Sequence, residues 1–455
     1  MSLISQELTS SRKAMSDVVA NRAMRRIFLA FAGSLIGDGV FALSAAIYVY
    51  RSGGTTAVGL LAVVRYVAIA SVAPFSSTLA DRYPRRSVMV GADCTRLVLV
   101  VVAAILIAVH GSQLAVYTLI VLVGLAGTAF RPAQAAILPS LARQEDELSG
   151  ANVVSSTIES VGFFAGPALA GFLLAFSTVP IAFGVDAASF VWSALIVSTV
   201  RPPRDDERSP AFANQMATHA REGESDAETF LVRASKGFRA IAQNRDVRVL
   251  AILYVLQCVV AGASAVFTVA IALRMLHIGN SGLGLMESTL GIGGLLGGFI
   301  ALMLMQRSRL ATHFGIGVML WGAPLLIIAV FPNLAAALFT MGLIGVANSI
   351  VDINAITVLQ HLVPDEVLGR VMGAIEAGDV GGMAIGSLAM TSLIHVTGLR
   401  AGLAWIGMIV TLLVIPGLPA LKRIDAASRE LDLVHRPRHE HRYVYHRRLR
   451  HRYAH

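Results

Sequence analysis

Twelve apolar stretches of about 20 residues, separated by short polar interruptions, constrain this chain more than any other feature of its sequence. They run approximately over 28–50, 56–79, 87–110, 113–132, 151–176, 180–200, 248–274, 282–305, 312–331, 334–359, 371–396 and 401–421. A helix of that length crosses about 30 Å of hydrocarbon. Lipid offers a peptide group no water, so only helices and closed barrels can span it. Barrel strands would read as segments of about ten residues that alternate apolar and polar, and these runs do not alternate. Over 455 residues the chain is 55% hydrophobic and 14% charged, whereas soluble proteins carry about 25% charged residues. The prediction is an all-α membrane protein with twelve transmembrane helices in two six-helix bundles.

Basic residues set the expected orientation. With the N-terminus inside, the inner segments hold Arg22, Arg25 and Arg26, then Arg82, Arg85 and Arg86, then many more in 201–247 and in the Arg-rich tail. The outer loops hold Arg51, Arg274 and Arg400. That bias places both termini in the cytoplasm, and the net charge of +9 reports it rather than nucleic-acid binding. The expected organisation is a cytoplasmic segment 1–27, a bundle 28–200, a polar loop 201–247, a second bundle 248–421 and a basic tail 422–455. Phe230, Leu231, Ala234, Phe238 and Ile241 have the spacing of an amphipathic surface helix within the loop. The halves echo each other. A shift of 220 places Leu148 on Leu368, Glu159 on Asp379, Gly162 on Gly382 and Gly166 on Gly386. A duplicated unit of this kind is how transporters build a site between two halves. Cys94 and Cys258 offer neither a disulfide framework nor a metal-ligand spacing. The tail's six histidines are irregularly spaced, and a basic tail of this kind is expected to be drawn to anionic lipid.

Between the second and third runs lies Ser77-Thr-Leu-Ala-Asp81-Arg82-Tyr-Pro84-Arg85-Arg86. It resembles the Gly-x-Leu-Ala-Asp-Arg-x-Gly-Arg-Arg motif of the Major Facilitator Superfamily, with Ser77 and Pro84 where the family has glycine. The resemblance implies that Asp81, Arg82, Arg85 and Arg86 form a cytoplasmic latch whose charge-assisted bonds break as the halves rock. The fifth run carries Gly162-Phe-Phe-Ala-Gly166-Pro167-Ala-Leu-Ala170-Gly171. This is similar to the Gly-Pro-x-x-Gly-Gly motif of the antiporter branch, with Ala170 replacing one glycine. Small residues permit close helix approach and Pro167 bends the helix. Phe130-Arg131-Pro132-Ala133-Gln134 and the pair Asp93/Arg96 resemble bacterial exporters of drugs, macrolides or enterobactin-type siderophores.

Ionisable groups at bilayer depth are expensive and mark ion or substrate pathways. Asp38, Arg65, Glu159, Glu287 and Asp379 are the proton or substrate candidates, each on a helix that lines the central cavity in the family. Asp352 and Glu376 belong to the same class, whereas Asp186, on the usually peripheral sixth run, is expected to hydrogen-bond near the outer surface. Asp93 and Arg96 lie three apart on one helix face and are expected to form a structural pair. The sequence contains no phosphate-cradling Gly-x-x-x-x-Gly-Lys-Ser/Thr loop and no His-Glu-x-x-His or Gly-x-Ser-x-Gly element. The expectation is therefore not an enzyme, with no cofactor and no metal. It is a proton-coupled exporter of a small organic molecule in a bacterial inner membrane, with lipid around it and no obligate protein partner. The competing readings are an importer or uniporter of the same fold, and a membrane sensor or scaffold that does not transport.

Overall fold

The structure, a computed structural model, describes the backbone of residues 18, 20–200, 230–305, 309–363 and 365–434. Of these it describes every side chain except 73–82, 145–146, 149, 230–236, 302, 305, 361, 365–366 and 427–434. The first part of the 201–247 loop, the side chains of Asp81 and Arg82, and the histidines of the tail lie outside that set.

The described residues form helices joined by short turns, with no strand. They are α1 (Arg22–Arg82), α2 (Arg85–Ala108), α3 (Gln113–Gly127), α4 (Phe130–Leu141), α5 (Glu145–Phe176), α6 (Val179–Ser198) and α7 (Phe230–Gln243). Then follow α8 (Arg245–Ala270), α9 (Gly279–Met305), α10 (Leu310–Gly322), α11 (Pro324–Val330), α12 (Leu334–Leu362), α13 (Asp365–Thr397), α14 (Leu399–Val414) and α15 (Leu418–Val434). Among the described residues, eleven stretches are long and apolar enough to cross a bilayer. The first of them, Arg22–Val72, has 51 residues, about twice what one crossing needs. Gly54 breaks it with φ 65° and ψ −161°, a conformation open to glycine and closed to side chains. One stretch holding two passes brings the count to twelve, and the break falls between the first two predicted spans. The fourth span divides into α3 and α4, and the ninth into α10 and α11 at Pro324.

The helix starts follow from local chemistry. The Asn21 side chain accepts from Ala23 and Met24 amides at the head of α1. It also donates to the Leu141 carbonyl and to Glu147, tying α1 to the α4–α5 connection. Asn244 and Asn333 cap α8 and α12 in the same way. The head of α10 takes its cap from far along the chain, because Asp425 accepts from the Ala311 amide, the Thr312 amide and the Thr312 hydroxyl. Each device satisfies amide groups that a helix start leaves without partners.

Contacts divide the chain into two units. Unit 1 takes 20–52 and 68–200; unit 2 takes 53–67 and the described residues from 230 onward. In unit 1, α1 and α5 touch backbone to backbone, and a Cβ on Gly166 would lie 2.8 Å from the Gly39 Cα. Gly162 packs on Leu35 one turn away. Two glycines of the fifth-span motif thus lie at the contact between α1 and α5. On another face of α1, Gly33 and Gly37 admit Trp192 and the Asp186–Ser189 turn of α6. In unit 2, Gly293 and Gly297 of α9 lie against Gly342 and Val346 of α12. Such contacts hold helices together in lipid, where hydrophobic burial contributes little between them.

Gly166→Val is expected to push α1 and α5 apart and to cost at least about 1–3 kcal/mol. Gly91→Ala, where a Cβ meets open space, is the control. Thermal unfolding of the purified protein should show a lowered midpoint for the first and none for the second.

Candidate functional site

Unit 1 buries a guanidinium among carboxylates. Arg96 on α2 is pinned by Asp38 of α1 in an ion pair. Its other terminal nitrogen lies 3.8 Å from Asp93, one turn back on the same helix. Asp186 of α6 acts on it electrostatically. The Arg96 side chain is 7% exposed and that of Asp38 37%, so the pair has one hidden partner and one partly exposed partner. The guanidinium carbon also sits 4.1 Å from the Phe190 ring centroid. Gly127 of α3 faces the guanidinium, and a Cβ there would make an ordinary contact, 3.5 Å from its Nε.

The carboxylates around Arg96 are unequally satisfied. Both oxygens of Asp93 and Oδ2 of Asp186 are buried without a hydrogen-bond partner among the described residues. The other Asp186 oxygen lies 3.4 Å from the Ser189 hydroxyl, which donates to it. The structure thus brings together Asp38, Asp93 and Arg96 from the sequence reading and adds Asp186. Asp186 was expected to hydrogen-bond near the outer surface. What placed it here is Gly37 of α1, which leaves room for its side chain. A Gly-x-x-x-Gly spacing, Gly33 to Gly37, was the available signal.

Glu159 stands apart from this cluster. It pairs with Arg131 of α4 at 2.7 Å, both side chains about half exposed. The pair lines a cavity of about 610 Å³ between α4 and α5, walled by Leu138, Pro139 and Leu148 and bearing Gln134, Asn152, Ser155 and Ser156. Arg131 was visible only as part of a motif; α4 and α5 run antiparallel here, which places it opposite Glu159.

Unit 2 holds carboxylates with amide, thiol and phenol neighbours. Asp352 accepts from Asn348 at 3.0 Å. The Cys258 thiol donates to the Gln257 amide oxygen at 3.5 Å, and Oδ1 of Asp379 is buried without a partner among the described residues. Asp352, Asp379 and Glu376 all act on the Tyr254 phenol. Arg65, exposed on the 53–67 stretch, shares the neighbourhood of Tyr66 with Asp379. Glu287 on α9 is half-buried and has no partner among the described residues. Of the latch residues, Arg85 donates to the Ala136 carbonyl at 2.8 Å and Arg86 to the Val200 carbonyl at 3.2 Å, both within unit 1. Gly171 is buried in α5. Among the described residues no group of three or more His, Cys, Asp or Glu side chains is arranged to hold a metal ion.

The comparisons agree with this architecture. The family model described as Major Facilitator Superfamily matches residues 27–375 and 250–448. The multidrug efflux pump Tap of Mycolicibacterium fortuitum is 28% identical over 363 residues, covering 77% of this chain and 84% of its own length. The MFS-type transporter YfiS of Bacillus subtilis is 27% identical over 354 residues, covering 75% and 76%. Macrolide efflux protein A of Streptococcus pyogenes is 24% identical over 213 residues, covering 46% and 50%. Among solved structures, the peptide transporter POT aligns with TM-score 0.67 at 13% identity, covering 90% of this chain and 99% of that one. The nucleoside transporter NupG aligns with TM-score 0.66 at 12% identity, covering 87% and 98%. At those identities the likeness concerns the fold.

Arg96→Met removes the cation that three carboxylates share. Stranding buried charge in this way is expected to cost about 3–5 kcal/mol. Asp38→Asn should cost less, because its carboxylate is partly exposed and Arg96 keeps Asp93 and Asp186. Equal thermal stabilities for the two purified variants would refute the arrangement.

Proposed function

The chain belongs to the Major Facilitator Superfamily, a family of multi-pass membrane transporters, and from that premise we propose that it expels small drug-like or siderophore-like organic molecules in exchange for protons. The observation that carries this reading is the Asp38–Arg96 pair. It joins a partly exposed carboxylate to a buried cation, and it bridges α1 and α2. A proton arriving on Asp38 neutralises Arg96's first partner. The guanidinium then has Asp93, 3.8 Å away, and Asp186 as its remaining anions. Arg96 moves toward them and releases α1. Loss of the proton restores the bridge.

This is a two-state element that a proton gradient can bias, which is the requirement for coupling. The glycine contacts of α1 with α5 and α6 flank Asp38, so a shift of α1 is transmitted to both neighbours. The efflux direction rests on the relatives: Tap is named a multidrug efflux pump and the Streptococcus protein a macrolide efflux protein. In the same reading Glu159, Glu287 and Asp379 are substrate or ion contacts, and Arg65 is a counter-charge. The Asp81–Arg86 segment acts as the cytoplasmic latch, with both termini in the cytoplasm of a bacterial inner membrane.

Cells producing the protein should accumulate less of a fluorescent drug-like dye than cells without it, and a proton-gradient uncoupler should abolish the difference. Asp38→Asn should lose uncoupler-sensitive efflux by about tenfold or more while still reaching the membrane, as for removal of one member of an ion-coupling pair. Efflux that survives the uncoupler would sink the antiport reading. Full coupled efflux by Asp38→Asn would sink the site.

A further inference from the structure

One stripe of α1 carries charge that neither the coupling pair nor the glycine contacts account for. Arg22, Arg26, Leu29, Gly33 and Gly37 recur at helical spacing, so they share a face. That face meets α6, because Gly33 and Gly37 admit Trp192 and the Asp186–Ser189 turn. The Trp192 indole donates to the Leu29 carbonyl at 3.1 Å, and Arg26 donates to the Thr199 carbonyl at 3.0 Å. The two helices therefore run antiparallel, with the Arg22 end of α1 beside the Thr199 end of α6.

Near this end the seam is open on one side. Leu29 and Trp192 are about half exposed, and Leu195, one turn along the same face of α6, is more so. They make an apolar strip. At its end stand Arg22 and Arg25, both exposed, whose guanidinium groups have no partner among the described residues. Arg26 is engaged with Thr199, and Arg86 of α2 takes the next carbonyl, Val200. Neither α1 over 22–37 nor α6 over 187–200 contains a carboxylate that could answer Arg22 and Arg25.

Hydrocarbon of any bilayer lipid can cover Leu29, Trp192 and Leu195. Two unanswered cations at the end of the strip select a lipid whose headgroup is an anion. A guanidinium holds phosphate oxygens through two parallel hydrogen bonds, and basic pockets between spanning helices suit acidic headgroups. The depths also match. Trp192 lies seven residues from Thr199, as Leu29 does from Arg22, which is about 10 Å of helix. The arginines thus stand at headgroup level and the strip at the level of the acyl chains.

We propose that the α1–α6 seam binds an anionic phospholipid, with the headgroup phosphate on Arg22 and Arg25 and one acyl chain along Leu29, Trp192 and Leu195. The site is independent of the cargo and of the direction of transport.

The probe is phosphatidylglycerol brominated on its acyl chains, which quenches a tryptophan on close approach. The full chain with Trp405→Phe is reconstituted in phosphatidylcholine bilayers containing increasing brominated phosphatidylglycerol, and in a matching series with brominated phosphatidylcholine. Trp321 is buried, so the quenched signal is that of Trp192. It should show phosphatidylglycerol favoured about fivefold or more, the advantage that one arginine gives near an anionic surface. Arg22→Gln combined with Arg25→Gln should bring the two lipids to parity, and salt at about 1 M should do the same by screening exposed charge. Arg239→Gln combined with Arg245→Gln removes equal charge from exposed positions of unit 2 and should leave the preference intact. Equal quenching by the two lipids without substitution at Arg22 and Arg25, or a preference that survives loss of both arginines, overturns the proposal. So does an equal fall with the unit 2 pair, which would make net charge the cause. Native mass spectrometry of the unaltered chain from mixed nanodiscs is the second readout: it should retain more phosphatidylglycerol than the Arg22/Arg25 variant, and equal retention overturns the site as well.

Discussion

A peptide group in hydrocarbon has no water to turn to, and leaving one unsatisfied there costs several kcal/mol. That single constraint accounts for the uninterrupted helices and for where they break. Gly54 turns the chain at positive φ between two passes. Pro324 restarts a helix immediately after Gly322, and Gly398, also at positive φ, separates α13 from α14. Where a helix start needs partners that its own turn cannot supply, side chains bring them. Asn21 does so locally, and Asp425 does so from more than a hundred residues away. Lipid also withdraws most of the hydrophobic drive for helix pairing. The units are therefore assembled on contacts such as Gly39–Gly166 and Gly293–Gly342, where the absence of side chains lets backbones meet.

Against that apolar framework, Arg96 is an expensive residue. Its burial is tolerable because Asp38, Asp93 and Asp186 converge on it from three helices and Phe190 offers its ring face. Charge removed from water on this scale rarely adds stability over a well-packed apolar core. Its presence is better explained by use. A cation with one partly exposed anion and buried carboxylates beside it has more than one arrangement open to it, and the proposed proton coupling uses that. Unit 2 solves a related problem differently. Its carboxylate Asp352 is held by Asn348, a group that contributes a hydrogen bond without a full charge.

Much of this was legible in the residues. The length and apolarity of the runs dictated transmembrane helices, and the motif at 77–86 pointed to the superfamily that the comparisons bear out. Asp38, Arg96 and Glu159 stood out because ionisable groups are rare at bilayer depth. Their partners did not stand out. Periodicity on α2 paired Arg96 with Asp93, 3.8 Å away, but could not show its second partner, Asp38, on a helix more than fifty residues away. Asp186 read as a peripheral carboxylate until Gly37 was seen to admit it.

The division has a physical cause. Transfer from water to lipid depends on a segment's own composition, so the sequence by itself determined that this chain spans a membrane, roughly where each pass lies, and which charges must be accommodated inside. Which charge meets which depends on the rotation and depth of each helix. Those are decided by backbone contacts between residues far apart in the chain, and glycine is what permits them at Gly33, Gly37, Gly39 and Gly166. Only the tertiary structure could therefore show that Arg96 meets Asp38 as well as Asp93, and that Arg131 answers Glu159.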